Sequence, residues 1–220
     1  ILLISNRNVF LSEKDSFWSL FGLPIGYGYT DYACLHGSGF STISLSYRGI
    51  ESAVRIFVPN EGRRELWSVT LTNKSKETRT LKLISYAKTE LDGVYRPQGY
   101  NLGTGGFMKE KNAVFAHDYH PLYSVRNRHI WGYMTASEDV SGFDSRRNAF
   151  IGPYGDEQHP AALTKHGGCT NSDCNSEKLC LALEHTLTLL PEESRTIHFV
   201  LGVALDEAEI VRPTADSVEA

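Results

Sequence analysis

The sequence predicts an all-β domain, a large antiparallel β-sandwich of two packed sheets. Three observations carry this reading. Apolar and polar residues alternate along one segment after another, the period-2 signature of half-buried strands. Gly, Pro, Asn and Asp clusters punctuate these segments at short intervals. No segment holds an apolar 3.6-residue period long enough for an amphipathic helix. About a dozen strands result, and they fit best as two packed layers.

The strands follow in order. The opening Ile1-Leu2-Leu3-Ile4 reads as a strand cut from something longer, too short for a signal-peptide core. Residues 40–47 (FSTISLSY) alternate apolar with small polar side chains. Arg48-Gly49 turns the chain into 50–58 (IESAVRIFV), which Pro59 closes because it offers no ladder donor. Asn60-Glu61-Gly62 is turn chemistry, and 65–72 (ELWSVTLT) alternates again, so these strands form a meander. Residues 73–77 are expected to be a polar hairpin loop, followed by a strand over 78–91 marked by Leu81, Leu83 and Tyr86. From 92 to 106 the pattern dissolves into a Gly- and Tyr-bearing loop, long for a compact β domain and therefore a functional candidate. Short strands are expected near 112–117 and 129–135, and an irregular stretch over 141–176. Two strands, 179–190 and 195–205, close the chain, with Pro191-Glu192-Glu193 turning a hairpin between them. No internal boundary is visible. Residues 1–205 are expected to form the sandwich and 206–220 the start of a helical linker.

Composition narrows the function. Hydrophobic residues make up 41% and charged residues 22%, a globular rather than disordered balance. A net charge of -4 leaves no basic face for nucleic acid or an acidic membrane surface. No apolar run reaches the length of a membrane helix. Together with the missing leader, this makes a cytoplasmic location the expectation. Of four cysteines, Cys34 stands alone and Cys169, Cys174 and Cys180 cluster behind His166 as H-x2-C-x4-C-x5-C. Zinc could sit on such ligands, but the spacing matches no standard module. Reduced structural thiols are the preferred reading, with no metal and no cofactor. Asn73-Lys74-Ser75 is formally a glycosylation sequon, without a secretion signal to give it meaning. Nucleophile-elbow, phosphate-loop and dinucleotide fingerprints are all missing from the sequence.

Particular strings then become informative. Phe17-Trp18-Ser19 leads to Gly22-Leu23-Pro24, and Tyr32-x-Cys34-x-His36-Gly37-x-Gly39-Phe40 precedes the first long strand. Phe57-Val58-Pro59, Glu65-Leu66-Trp67 and Leu71-Thr72-Asn73-Lys74-Ser75 follow, then Ser85-Tyr86. Later come Gly142-Phe143-Asp144-Ser145-Arg146, Phe150-Ile151-Gly152-x-Tyr154 and Gly168-Cys169-x-Asn171-Ser172. Leu189-x-Pro191-Glu192-Glu193 and Phe199-Val200-Leu201-Gly202 end the series. In this order the strings resemble the N-terminal region of the cellobiose phosphorylase family, glycoside hydrolase family 94, formerly glycosyltransferase family 36. The resemblance implies a β supersandwich related to the galactose mutarotase-like domain. A helical linker, an (α/α)6 catalytic barrel and a small jelly roll would follow, in a homodimer. It further implies inverting phosphorolysis of β-linked gluco-oligosaccharides, with inorganic phosphate as co-substrate and α-glucose 1-phosphate as product. The general acid, an Asp, belongs to the barrel, and phosphate replaces the second catalytic carboxylate of a hydrolase. No catalytic residue therefore maps onto this chain.

What the resemblance does imply here is a loop reaching towards an active site, often that of the neighbouring subunit. Arg96, Gln98, Tyr100 and Asn101 are its candidates: an aromatic platform for the apolar face of a sugar and planar polar groups for its hydroxyl rim. Family members often carry an Asn-Phe-Gln-Arg-like string there, whereas this chain reads Tyr95-Arg96-Pro97-Gln98-Gly99-Tyr100. His36, in His36-Gly37-Ser38-Gly39, is a further sugar-binding candidate. The plainer reading is a tight loop in which His36 ties down backbone. Trp18, Tyr27, Tyr29 and Tyr32 are expected to cap one end of the sandwich rather than line a sugar groove, and Trp67 and Trp131 to be core. His117, Asp118 and His120 suggest a mutarotase-like acid–base pair, but kinship of fold does not carry function. The alternative for the whole chain is a stand-alone carbohydrate-binding module.

Overall fold

The structure is a computed structural model, and it describes residues 3–14, 16–25, 28–90, 103–118 and 130–214. The N-terminal part contributes β1 (Leu3–Glu13), β2 (Ser16–Ser19), β3 (Thr30–Gly37), β4 (Phe40–Tyr47) and β5 (Ile50–Phe57). Next come β6 (Arg64–Asn73), β7 (Arg79–Glu90), β8 (Thr104–Met108), β9 (Ala113–Asp118) and β10 (Ile130–Ala136). The last third holds β11 (Gly142–Arg146), short helices α1 (Arg147–Phe150) and α2 (Ala161–Thr164), β12 (Cys174–Asn175), β13 (Leu179–Leu189) and β14 (Ser194–Ala204).

These strands make two antiparallel sheets. One has nine strands in the order β12-β8-β9-β10-β14-β6-β5-β4-β3, the other five in the order β11-β13-β7-β1-β2. The fold class is the expected one. The period-2 patterns face their apolar rows inward: Trp67, Val69 and Leu71 of β6 and Phe199 and Leu201 of β14 meet Val9, Leu11, Leu81, Leu83, Leu181 and Leu183 of the smaller sheet. Each such side chain removed from water is worth about 1.5–3 kcal/mol.

The outer faces are covered in part. Phe10, Ile84 and Tyr86 of the small sheet lie under Phe150, Ile151 and Leu163, with Tyr86 and Phe150 stacked at 4.7 Å. On the large sheet, Leu66, Ala113, Tyr133, Val200 and Ala204 gather around Ile210, which is 1% exposed. Residues 207–209 form a single 3-10 turn.

The meander β4-β5-β6 is as expected, with Ile43 opposite Val54 and Val54 opposite Val69. Both expected hairpins around β7 and β13 are corrected. β6 pairs with β5 and β14, while β7 pairs with β1 and β13, so residues 74–78 carry the chain from one sheet to the other. Pro191-Glu192-Glu193 likewise crosses between β13 and β14, which belong to different sheets. Alternation reports which face of a strand is apolar, not which neighbour it pairs with. Asn73 ties the two crossings together. Its side-chain amide donates to the carbonyls of Glu77 (2.8 Å) and Leu189 (3.0 Å). Its backbone N–H donates to Glu193 O and its carbonyl accepts from Glu192 N. The sequon asparagine is thus fully buried structure.

Strands β1, β3 and β8 lacked a legible pattern for three different reasons. β1 packs on both faces, with Val9 and Leu11 inward and Phe10 outward, which erases alternation. β3 is exposed along its whole length. β8 carries two glycines, Gly105 and Gly106, where side chains would mark a face. The stretch expected to be irregular, 141–176, contains β11, β12 and both short helices.

Candidate functional site

Arg96, Gln98, Tyr100 and Asn101 lie outside the described residues, as do Tyr27 and His120. The strands that frame them are described. β7 ends at Glu90 opposite Leu3, and β8 begins with Thr104 opposite His117. Asp118 faces Ile130 across β9 and β10. A Cβ built on Gly103 would lie 2.3 Å from Leu179 at the start of β13, so these strand ends share one end of the sandwich.

Beside that end, the outer face of the large sheet carries a run of rings. His117 of β9 lies 4.3 Å from the ring of Trp131 on β10, and Phe115 meets Trp131 edge-on at 5.2 Å. Trp131 is half-buried on this outer face, a correction to its expected place in the core. Its partner row is made by glycines. Tyr133 pairs with Gly202 on β14, where a Cβ would sit 2.8 Å from the phenol ring. Phe115 pairs with Gly106, where a Cβ would come within 2.9 Å of Asp173 and 3.3 Å of the Phe115 ring. Glycine at these two positions lets the rings lie down over the neighbouring strand. Burial pushes the Tyr133 hydroxyl's pKa above its ordinary value, so it stays neutral and available as a donor. Such a surface suits the apolar face of a sugar ring. Phe115 and Tyr133 were missed in the sequence, although Trp131 and Tyr133 already sit two apart on one strand face.

The other candidates disperse. His36 stands on edge strand β3 and not in a loop, exposed, with Nδ1 2.8 Å from the Ser41 hydroxyl and Nε2 3.5 Å from Cys34 Sγ. It contacts side chains, not the backbone expected of it. Trp18 is core at 1% exposed, edge-on to Tyr47, and Tyr29 also meets Tyr47. Tyr32 is exposed.

The buried charges hold loops. Asp144, wholly buried, accepts from the backbone and hydroxyl of Thr170 (3.1 and 2.8 Å) and of Ser172 (3.0 and 2.7 Å). Glu184 accepts from Cys169 N at 2.7 Å and pairs with Lys82 at 3.0 Å. This explains two strings seen in the sequence: β11 supplies the anion, and the 168–172 loop supplies donors. Glu138 pairs with Arg195 and Glu157 with Arg147. Hydrogen bonds from Arg79 hold the Glu13 carboxyl below the usual range. Cys174 packs in the main core and Cys180 in the outer cluster of the small sheet, with Cys169 against it. Burial pushes the Cys169 and Cys180 thiols well up, which keeps them protonated and unreactive. Among the described residues no three His, Cys, Asp or Glu side chains converge as metal donors.

Comparison with known proteins gives this geometry a context. Residues 7–219 match the family model described as "Glycosyl hydrolase 94, supersandwich domain". Solabiose phosphorylase of Paenibacillus borealis is 33% identical over 196 residues, 88% of this chain and 25% of that protein. An N,N'-diacetylchitobiose phosphorylase of Vibrio furnissii is 28% identical, covering 91% of this chain and 25% of its own length. The chain thus spans about a quarter of these relatives. Among solved structures, a candidate kojibiose phosphorylase from the human microbiome superposes with a TM-score of 0.53 at 11% identity, over 90% of this chain and 22% of that one, a likeness of fold alone. With its matched span, its two antiparallel sheets and its ordered strings, the chain belongs to the supersandwich domains of glycosyl hydrolase family 94.

Proposed function

We propose that this chain is the non-catalytic supersandwich of a glycoside phosphorylase, a domain that positions sugar and joins subunits. The parent enzyme cleaves a β-glucosidic di- or oligosaccharide with inorganic phosphate, with inversion, to α-glucose 1-phosphate. The observation that carries this is the family match over residues 7–219 on a chain spanning about a quarter of relatives named as phosphorylases. The commitment of the buried carboxylates Asp144 and Glu184 to loop donors, and of Glu184 also to Lys82, supports a non-catalytic role. In this reading Arg96, Gln98, Tyr100 and Asn101 contact the sugar, with His36 as a further contact. Residues 206–220 lead towards the catalytic barrel, the assembly is a homodimer and the location cytoplasmic.

The test compares the chain alone with the complete product of its gene. Each is incubated with phosphate and a panel of β-linked glucosides, and α-glucose 1-phosphate is measured. Product from the complete protein and none from the chain alone is expected. Phosphorolysis by the chain itself, or none by the complete protein on any glucoside, overturns the proposal. The ring surface of Phe115, His117 and Trp131 favours one second reading, a stand-alone carbohydrate-binding module. Affinity of the chain for β-gluco-oligosaccharides, lost in Trp131→Ala, would support that reading.

A further inference from the structure

At the Arg79 end of β7, away from Glu90, the outer face of the small sheet opens into a polar cleft of about 720 Å³. Its size lies in the range of small-molecule sites. The floor is a row of hydrogen-bonding side chains in register: Ser12 of β1 stands opposite Lys82 of β7, and Lys82 opposite Thr186 of β13. Thr80 adds a second hydroxyl step along the same face. One wall is made rigid by Arg79, which grips Glu13 with two guanidinium nitrogens and donates to the carbonyl of Arg48 at 2.8 Å.

The rim sets the charge. Lys14 and Arg48 both line the cleft, and both hold left-handed backbone angles, φ 50° and 52°. Non-glycine residues adopt that region at a cost, and side chains as long as these have no local hydrogen bond to offset it. Each is the first central residue of a two-residue hairpin connection, since Glu13 pairs with Ser16 and Tyr47 with Ile50, and such turns call for left-handed angles; two hairpin tips thus deliver a basic side chain to one rim. The lining holds four cations, Lys14, Arg48, Arg79 and Lys82, against the carboxylates Glu13 and Glu77. Arg79 is answered by Glu13, and Lys82 by Glu184 and the Gly167 carbonyl. Among the described residues the Arg48 guanidinium hydrogen-bonds the Ser16 hydroxyl, and Lys14 makes no hydrogen bond. Both act on the Glu13 carboxylate at a distance, but Arg79 holds that group's hydrogen bonds, so Lys14 and Arg48 overlook a floor of hydroxyls without a hydrogen-bonded carboxylate among the described residues.

We propose that this cleft binds an anionic saccharide, a sugar carrying a phosphate or carboxylate group. The anionic group sits between Lys14 and Arg48, where charge-assisted hydrogen bonds are strongest. The sugar hydroxyls lie on Ser12, Thr80 and Thr186. None of its lining residues is one that the phosphorylase reading uses, so the site stands independently of that reading.

Calorimetric titration of the purified chain tests it, with glucose 6-phosphate, glucuronate, glucose and inorganic phosphate as probes. Binding of glucose 6-phosphate or glucuronate about tenfold or more tighter than of glucose and of inorganic phosphate is expected. Which of the two binds tighter tells whether phosphate or carboxylate is the preferred anion. The double variant Lys14→Gly, Arg48→Gly is expected to lose about tenfold or more of that affinity, and glycine suits the left-handed backbone, so the fold is retained. Thr186→Val, which removes only a floor hydroxyl, is expected to weaken the anionic sugars while leaving inorganic phosphate unchanged. Equal binding of inorganic phosphate and the anionic sugars, no saturable binding, or affinity unchanged in the double variant overturns the proposal.

Discussion

His185 shows how a single residue ties burial to pH. Its ring faces the core from β13, edge-on to Phe199 at 5.4 Å, and Nε2–H donates to the Glu138 carbonyl at 3.3 Å. Nδ1 has no partner among the described residues, and burial pulls the pKa down to about 4. The unfolded chain takes up this proton near pH 6.5, the folded one only near pH 4, so stability is complete above 6.5 and falls as pH drops between the two values. At most about 3 kcal/mol rides on this group. Urea titrations at pH 7 and pH 4.5 are expected to show a smaller acid loss in His185→Phe than in the parent chain, and an equal loss would refute the assignment. Neighbouring glycines give a second test. A Cβ on Gly168 would lie 2.2 Å from Glu184 Oε2, at φ +153°, whereas Gly167 at φ +68° has open space around it. Gly167→Ala is expected to cost about 1 kcal/mol and Gly168→Ala about 3 kcal/mol, because only the second breaks a buried carboxylate's contacts. Equal midpoints in thermal melts would contradict this. The string around Gly168 was legible in the sequence as a motif, but its reason was not. Glu184, which meets Gly168 and Cys169, and Asp144, which takes Thr170 and Ser172, lie far from the string along the chain, and only folding brings these anions to it.

At the scale of elements, the apolar strands were legible nearly to their ends, from β4 to β7 and again at β13 and β14. Their partners were not. Asn73 is where the difference has consequences, since it satisfies carbonyls in both inter-sheet crossings. Asn73→Ala leaves the Leu189 carbonyl without its side-chain donor and is expected to cost about 2–3 kcal/mol. A denaturation midpoint within error of the parent would show that backbone bonds alone hold the crossings. The ring surface on β9 and β10 was half legible. Trp131 was noticed but assigned to the core, because an aromatic in an alternating strand reads the same whether its face is buried or presented outward. Which face is presented depends on where the second sheet lies, and five strands cannot cover nine.

For the molecule as a whole, the largest apolar cluster draws side chains from both sheets, and the smaller clusters on their outer faces rest on strands that it holds in place. Unfolding is expected to be a single transition in which fluorescence from the buried Trp18 and Trp67 and far-ultraviolet dichroism coincide. Separated transitions would mean that the sheets melt independently. The sequence by itself determined the fold class and, through its ordered strings, the family. Both are written in local quantities: alternation, turn residues and short motifs. It also pointed to Arg96, Gln98, Tyr100 and Asn101, which lie outside the described residues. Only the tertiary structure decided which strands share a sheet, why Asp144 belongs with Thr170 and Ser172, and that Ser12, Lys14, Arg48 and Thr186 meet at one cleft. Strand pairing and clefts depend on contacts between residues remote in sequence, and periodicity carries no information about those.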